Sequence, residues 1–337
     1  MRRYPTRRVC VDIGHKCNID CLHCYHKHET NRDERPFKIK EDICTEIENG
    51  KYRGCEYVDF TGGEPTLCSY LPEIIKYALD KFNMRSCVIT NALCGENTLD
   101  KFIDAGTDDF LISMHGMEKT FDAFTQRPGA RQQQMKFIEH LEGRGKTFRV
   151  NYCITSYTQS DIVAFAEFIR ERKVRIVNFI NFNPHYGWMA VKDETRAMIA
   201  DLPKVEVYLN RAIELLEEKN IGVNVRYYPM CRIAEGYRRC VCNDLHVTFD
   251  PYEWDYDITP KTPEKHLEWA LCATNKYEMK KYECACCSHQ WVCGGINKSF
   301  YQVIDDGCIQ PIKKTGDIDV YDSHFYRRQN ILTLEGR

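Results

Sequence analysis

The chain has 337 residues, of which 43% are hydrophobic and 28% charged; that is enough for one large α/β domain with an extension, or two domains, and excludes disorder as the main state. Its 47 Lys and Arg against 49 Asp and Glu leave a formal charge of -2, so no nucleic-acid partner is expected, although Arg2, Arg3, Arg7 and Arg8 make the start locally basic. No apolar run approaches the ~18 residues of a membrane span, and the opening MRRYPTRRVCVDIG lacks the apolar segment of a secretory signal; a cytosolic protein with no membrane partner is expected.

Short β-rich runs then alternate with amphipathic ones. VCVDIG (9–14) reads as a strand that leads into the loop HKCNIDCLHCYHKH, and IKEDICTEIENG (39–50) reads as a helix stopped by Gly50. YVDF (57–60) is a strand that runs straight into TGGEPT, followed by a helix with Ile74, Ala78, Leu79 and Phe82 on one face. CVIT (87–90), FLISM (110–114), FRVNYCIT (148–155) and RIVNFINF (175–182) are further strands, with helices near 97–105, 131–142, 161–171 and 204–218 between and after them. Six βα units of this kind imply a parallel sheet with right-handed crossovers. They are too few for the eight-unit barrel, so the expected fold is α/β, an open partial (β/α)6 TIM-like barrel over residues 8–221. After VNVRYYPM (223–230) the texture becomes rich in Cys, Tyr and Pro, and residues 222–337 are expected to form a small Cys-rich C-terminal domain.

The 19 cysteines are unevenly spread: nine lie between Cys10 and Cys94, nine between Cys231 and Cys308, and only Cys153 between those groups. An odd number in a chain of this kind does not read as a disulfide scaffold. Two groups suggest two metal sites, although many of these thiols would serve as small buried hydrophobes. In the first, Cys17, Cys21 and Cys24 form a C-x3-C-x2-C run. Three thiolates in one loop hold three irons of a [4Fe–4S] cube and leave the fourth iron open. A zinc site is the competitor, completed by His15, His23, His26 or His28.

The second motif decides between them. Thr61-Gly62-Gly63-Glu64-Pro65 follows the second strand, at the sheet end where α/β ligands bind. With the cysteine run it closely resembles the radical S-adenosylmethionine (radical SAM) superfamily over about residues 8–220. The resemblance implies that Cys17, Cys21 and Cys24 ligate the cluster, and that its open iron chelates the amino and carboxylate groups of S-adenosylmethionine. It further implies that the GGEP backbone binds that amino group and that His23 lies beside the adenine. Ser113 and Asn151 stand where the family often has ribose or carboxylate contacts. Ordinary strand-end polarity is the alternative for Ser113, His115 and Asn151. Reduction by a donor such as flavodoxin or ferredoxin would cleave the sulfonium to methionine and a 5′-deoxyadenosyl radical, which abstracts hydrogen from an unactivated carbon.

In KYECACCSHQWVCGGINKSFY, Cys284 and Cys287 are spaced C-x2-C and Cys293 follows after five residues. This resembles the auxiliary-cluster extensions called SPASM or twitch. The next cysteine of that signature is replaced by Asn297, and Gly236 stands too close to Cys240 for the usual preceding element. The resemblance therefore implies one auxiliary [4Fe–4S] cluster, held by Cys284, Cys287 and Cys293 with Cys231, and with Cys272 in reserve. A zinc knuckle is the alternative. Cys240, Cys242, Cys286 and Cys308 are then spare thiols, any of which could donate a hydrogen atom.

The expected function is a radical SAM oxidoreductase that oxidises or epimerises a small natural-product or sugar-like substrate: a sugar, an aminoglycoside or a nucleoside. The absence of a cobalamin-binding or leader-peptide-binding segment ahead of the first strand favours a small substrate over methylation or a peptide. Modification of a peptide or protein is the alternative, and a zinc-binding module is the non-enzyme alternative. Phe249, Tyr252, Trp254 and Tyr256, with Tyr227, Tyr228 and Tyr237, would form an aromatic wall or merely a core, and His185, Tyr186 and Trp188 would line the substrate pocket.

Overall fold

The computed structural model describes residues 8–24, 37–52, 54–182, 193–242, 278–290, 293–297, 300 and 308–313. His26, His28, His185, Tyr186, Trp188, Cys272 and the aromatic residues 249–256 lie outside them, as does the side chain of Cys242.

The chain alternates strand and helix: β1 (Arg8–Asp12), α1 (Lys40–Tyr52), β2 (Tyr57–Thr61), α2 (Leu71–Phe82), β3 (Arg85–Thr90), α3 (Glu96–Asp104), β4 (Asp109–Ser113), α4 (Glu118–Thr125), α5 (Ala130–Gly143), β5 (Phe148–Ile154), α6 (Ile162–Ile169), β6 (Val174–Asn181), α7 (Asp193–Ala197), α8 (Leu202–Glu217), β7 (Gly222–Arg226) and β8 (Val241–Cys242). The strands form one sheet in sequence order, β1 to β8, and every neighbouring pair is parallel. The six expected strands are present in an open barrel-like sheet. The sheet also runs past residue 222, because Gly222–Arg226 adds β7 and the two residues Val241–Cys242 add β8. Val223 and Val225 of β7 are fully buried, which is what draws it onto the sheet edge. A separate antiparallel pair joins β9 (Glu278–Met279) to β10 (Ile296–Asn297).

Alternation along the strands separates two environments. Val9, Val11, Val58, Phe60, Val88, Phe110, Ile112, Val150 and Tyr152 pack with Ile47, Ile74, Phe102, Phe137 and Phe165 of the helices in one continuous core. The other face carries buried charge beside a small apolar cluster of Tyr57, Cys87 and Leu111. Near the strand starts, Arg8 Nε donates to Asp59 Oδ2 (2.7 Å), Arg149 pairs with Asp109, and Arg175 reaches the same Asp109 (2.6 Å). Burial alone would push Asp109 up, but Arg149 and Arg175 hold its carboxyl below the usual range. That end of the interior is closed by paired charge, and the opposite end, where the strands deliver their loops, carries the site. Among the described residues no helix is long and apolar enough to cross a membrane.

Candidate active site and metal centres

The segment after β1 is held on two sides by backbone. Continuing the β1–β2 pairing, Ile13 N donates to Thr61 O (3.0 Å), Gly63 N to Gly14 O (2.7 Å) and Glu64 N to Lys16 O (2.7 Å). Asp20 N and Leu22 N donate to Thr125 O (3.2 Å) and Phe124 O (3.0 Å) at the end of α4. Glycine is required for the first of these approaches. A Cβ on Gly63 would lie 2.5 Å from the His15 carbonyl oxygen, and one on Gly62, whose φ is +134°, would lie 2.9 Å from Asp12 Oδ1.

Cys17, Cys21 and Cys24 are all partly buried in this loop. Burial, and then the charges of Cys24 and Cys17, push the Cys21 thiol well up. Three thiolates that repel one another in a desolvated loop are stabilised by a multiply charged cation among them, and the donor set fits an iron–sulfur cluster. Among the described residues no group of three or more His, Cys, Asp or Glu is placed to hold a single metal ion.

Glu64 is a strut within the GGEP loop. It is 1% exposed. Its Oε1 accepts from Thr66 N (3.0 Å), Thr66 Oγ1 (2.6 Å) and Thr90 Oγ1 (2.6 Å), and its Oε2 accepts from Asn91 N (2.7 Å). Burial raises its pKa against these four bonds. Pro65 opens a short turn that Glu64 caps. The N–H groups of Gly63 and Glu64 are spent on the cysteine loop, and an amino group, being a donor, would be met by backbone carbonyl oxygens of this turn.

His23 stacks on Phe124 (centroids 4.8 Å apart, 17° between planes), and His115 meets it edge-on at 4.7 Å. Burial lowers His23 to about 4, and its Nδ1 is buried with no partner among the described residues. Burial, with a smaller contribution from His23, puts His115 well below its usual range, and His115 Nδ1 accepts from Cys153 N (3.0 Å). Both rings are therefore neutral, and the His115 proton sits on Nε2. Ser113 and Asn151 are register partners on β4 and β5. Asn151 Oδ1 accepts from Asn178 Nδ2 (2.8 Å), and Asn178 Oδ1 accepts from Asn224 Nδ2 (2.8 Å). This rung of amides crosses β5, β6 and β7 at one register. Sequence reasoning picked out Asn151 alone. The signal for the other two was an Asn inside a valine-rich strand, at the period-2 position opposite the apolar face.

The second cysteine group also converges. Cys231, Cys284, Cys287 and Cys293 line one cavity, with Met230, Ile296, Ile309 and Ile312 among its apolar walls. Burial and then Cys293 and Cys284 push the Cys231 thiol up to about 11. Cys284 and Cys293 are raised by burial first, with Cys287 contributing to each. Cys231 sits in the turn Met230–Arg232 after β7. Arg232 fixes that turn by donating to the Cys308 carbonyl and, at 3.0 Å, to Glu206 of α8. Backbone N–H groups of Ile312 and Gly295 point at Cys287 Sγ and Cys293 Sγ, each at 3.4 Å. The spare thiols lie apart: Cys240 is buried against Glu217 (3.7 Å), Cys308 is buried, and Cys286 is exposed. Asn297 pairs with Glu278 in the small hairpin.

The family model of the Radical SAM superfamily matches residues 11–169, the stretch that contains the cysteine loop, the GGEP turn and the stacked histidines. The chain carries a radical SAM domain. It is an iron–sulfur enzyme, and the radical SAM cofactors are a [4Fe–4S] cluster and S-adenosylmethionine. The radical SAM chain is 25% identical over 248 residues to a probable GTP 3′,8-cyclase of Sulfolobus acidocaldarius, covering 71% of this chain and 77% of that one. It is 27% identical over 211 residues to an Fe-coproporphyrin III synthase of Methanosarcina barkeri, covering 62% of this chain and 52% of the other. Its fold is similar to that of Streptococcus suis SuiB bound to the precursor peptide SuiA, with a TM-score of 0.60 and 15% identity over 90% of this chain and 76% of that one.

Proposed function

We propose that residues 8–221 form a radical SAM unit whose cluster is held by Cys17, Cys21 and Cys24, and that residues 222–337 complete it with a second [4Fe–4S] site held by Cys231, Cys284, Cys287 and Cys293. The protein would oxidise a small hydroxyl-bearing substrate of the sugar, aminoglycoside or nucleoside type, with a flavodoxin or ferredoxin as electron donor. The observation that carries this reading is the convergence of four thiols from residues 231 and 284–293 on one cavity. With both groups bound, the first cluster reduced and the second oxidised, the first site would supply a hydrogen-abstracting radical and the second would accept one electron.

The chain's own residues do the rest. The backbone carbonyls of Gly62 and Gly63 would accept from the amino group of S-adenosylmethionine, and neutral His23 would lie beside the adenine. Asn151, the partly exposed end of an amide rung whose other members are buried, would meet a substrate without net charge, which suits hydroxyl groups better than carboxylates or phosphates. A carbon bearing such a hydroxyl would lose one hydrogen atom to the radical, then one electron to the second cluster and its hydroxyl proton to water. Oxidation is favoured over epimerisation because four thiols can be named as ligands of an electron-accepting cluster, whereas no one of the spare thiols is singled out as a hydrogen donor. The GTP cyclase relative supports the nucleoside member of the class.

The test is an anaerobic assay of the reconstituted, reduced enzyme with nucleosides, sugars and aminoglycosides in D2O. The expected product lacks two hydrogens and carries no solvent deuterium. One deuterium at an inverted carbon would establish epimerisation instead, and a transferred methyl group would overturn both.

A further inference from the structure

Asn91 follows β3 and is only 6% exposed, and every polar atom it owns is engaged. Its Nδ2 donates to Asn18 Oδ1 (2.7 Å) and to Cys17 Sγ (3.7 Å), so both amide hydrogens go to the cysteine loop. Its Oδ1 accepts from Leu93 N (3.0 Å), a backbone donor that fixes which end of the amide is nitrogen. Its N–H donates to Glu64 Oε2 (2.7 Å), and its carbonyl accepts from Gln134 Nε2 of α5 (2.9 Å). The next residue, Ala92, is held at φ +60°. That left-handed conformation is costly for a residue with a side chain, and such strain persists where the surroundings over-determine it. Here Thr90 Oγ1 accepts from Ala92 N (2.9 Å).

We infer that Asn91 is a positioning residue for the first cluster: it donates an N–H···S bond to the Cys17 thiolate and ties that thiolate, through Glu64, to the GGEP loop. The inference rests on Cys17 being a cluster ligand. A hydrogen bond to a ligating sulfur stabilises the reduced, more negative cluster more than the oxidised one, so it raises the reduction potential. Reduction of this cluster is what begins turnover, and Asn91 therefore makes the cluster easier to reduce at the position where S-adenosylmethionine binds.

The experiment is a reductive titration of the reconstituted holoenzyme followed by electron paramagnetic resonance, with the first cluster identified as the signal that changes when S-adenosylmethionine is added. At a poise where the wild-type cluster is half reduced, Asn91→Leu is expected to raise its oxidised-to-reduced ratio about threefold to tenfold; tenfold corresponds to 59 mV for one electron. Asn91→Asp keeps the size of the residue and its acceptor towards Leu93 N, but loses both donors and adds negative charge. It is expected to shift the ratio further than Leu does, an ordering that a merely structural role would reverse. The C-terminal cluster should be unmoved in both. Loss of iron from the first site in both variants would show a structural tie only and would overturn the claim that Asn91 sets the potential. Unchanged midpoints in both variants, or a larger shift in Leu than in Asp, would overturn it. A wild type with no signal that responds to S-adenosylmethionine would overturn the proposed function and this inference with it.

Discussion

In the first cysteine centre the three thiols come from one short loop, residues 17–24, and backbone holds them: the GGEP turn on one side, the end of α4 on the other, and Asn91 beneath. In the second, four thiols are gathered from the turn after β7 and from a segment more than fifty residues later, into a cavity with apolar walls. A three-thiol loop leaves one iron to be closed by a ligand that comes and goes. Four thiols close a cube completely. On the ligand assignment proposed above, the first centre is suited to exchange of a bound molecule and the second to retention of a cluster.

Replacing Cys17, Cys21 and Cys24 together with Ala should break the first centre alone. Formation of 5′-deoxyadenosine from S-adenosylmethionine should fall below detection by chromatography, while about four of about eight irons remain. Residual 5′-deoxyadenosine would remove the assignment of these thiols.

Gly63→Ala sharpens the same side of the comparison without touching a thiol. The added methyl meets the backbone of His15 and Lys16, so the GGEP turn must move off the cysteine loop. A displacement of about 1 Å at a reacting centre costs roughly 10²-fold in rate, and a drop of that order in 5′-deoxyadenosine formation is expected with the iron content kept. Wild-type rates would show that the close approach is not needed.

Cys231→Ala tests whether the distant thiol belongs to the second centre. Iron should fall from about eight to about four per chain, with 5′-deoxyadenosine formation reduced only a few-fold. Cys286→Ala, at an exposed thiol outside the cavity, should leave the iron count unchanged. Full iron retention in Cys231→Ala would point to another fourth ligand, such as Cys272.

The smallest effect concerns the neutral rings beside the first centre. Burial holds His115 well below its usual 6.5, so at mildly acid pH the unfolded chain binds a proton that the folded chain refuses. The stability this implies is complete above about pH 6.5 and is lost as pH falls below it, by about 1 kcal/mol per pH unit. Thermal unfolding of the holoenzyme from pH 7.5 to 5.5 should show Tm falling with pH, and His115→Asn should reduce that slope without abolishing it, because His23 and His289 still titrate. An equal slope in the variant would mean that the ring is not held neutral by burial.

The sequence by itself disclosed what is local. Period-2 apolar runs between amphipathic helices were enough for the six parallel strands, because burial under the helices dictates the pattern. The glycines at 62 and 63 were legible for the same reason: a turn that must touch a neighbouring backbone shows this within a few residues. β7 and β8 were less visible as sheet strands, since short edge strands carry little periodicity, and α4 was missed because eight residues offer only Phe121, Phe124 and Thr125 to the core.

Only the tertiary structure decided what depends on register and on chain segments far apart. Asn151, Asn178 and Asn224 become one hydrogen-bonded rung because three strands pair in that register, and no spacing along the chain states it. Glu64 turned out to brace loops from inside, since Thr90 and Asn91 arrive from the neighbouring strand to take its carboxylate. The gathering of Cys231 with Cys284, Cys287 and Cys293 depends on Arg232 holding a turn against Glu206 and the Cys308 carbonyl. Side-chain chemistry is written in the sequence, but which donors meet which acceptors is set by how the sheet is packed.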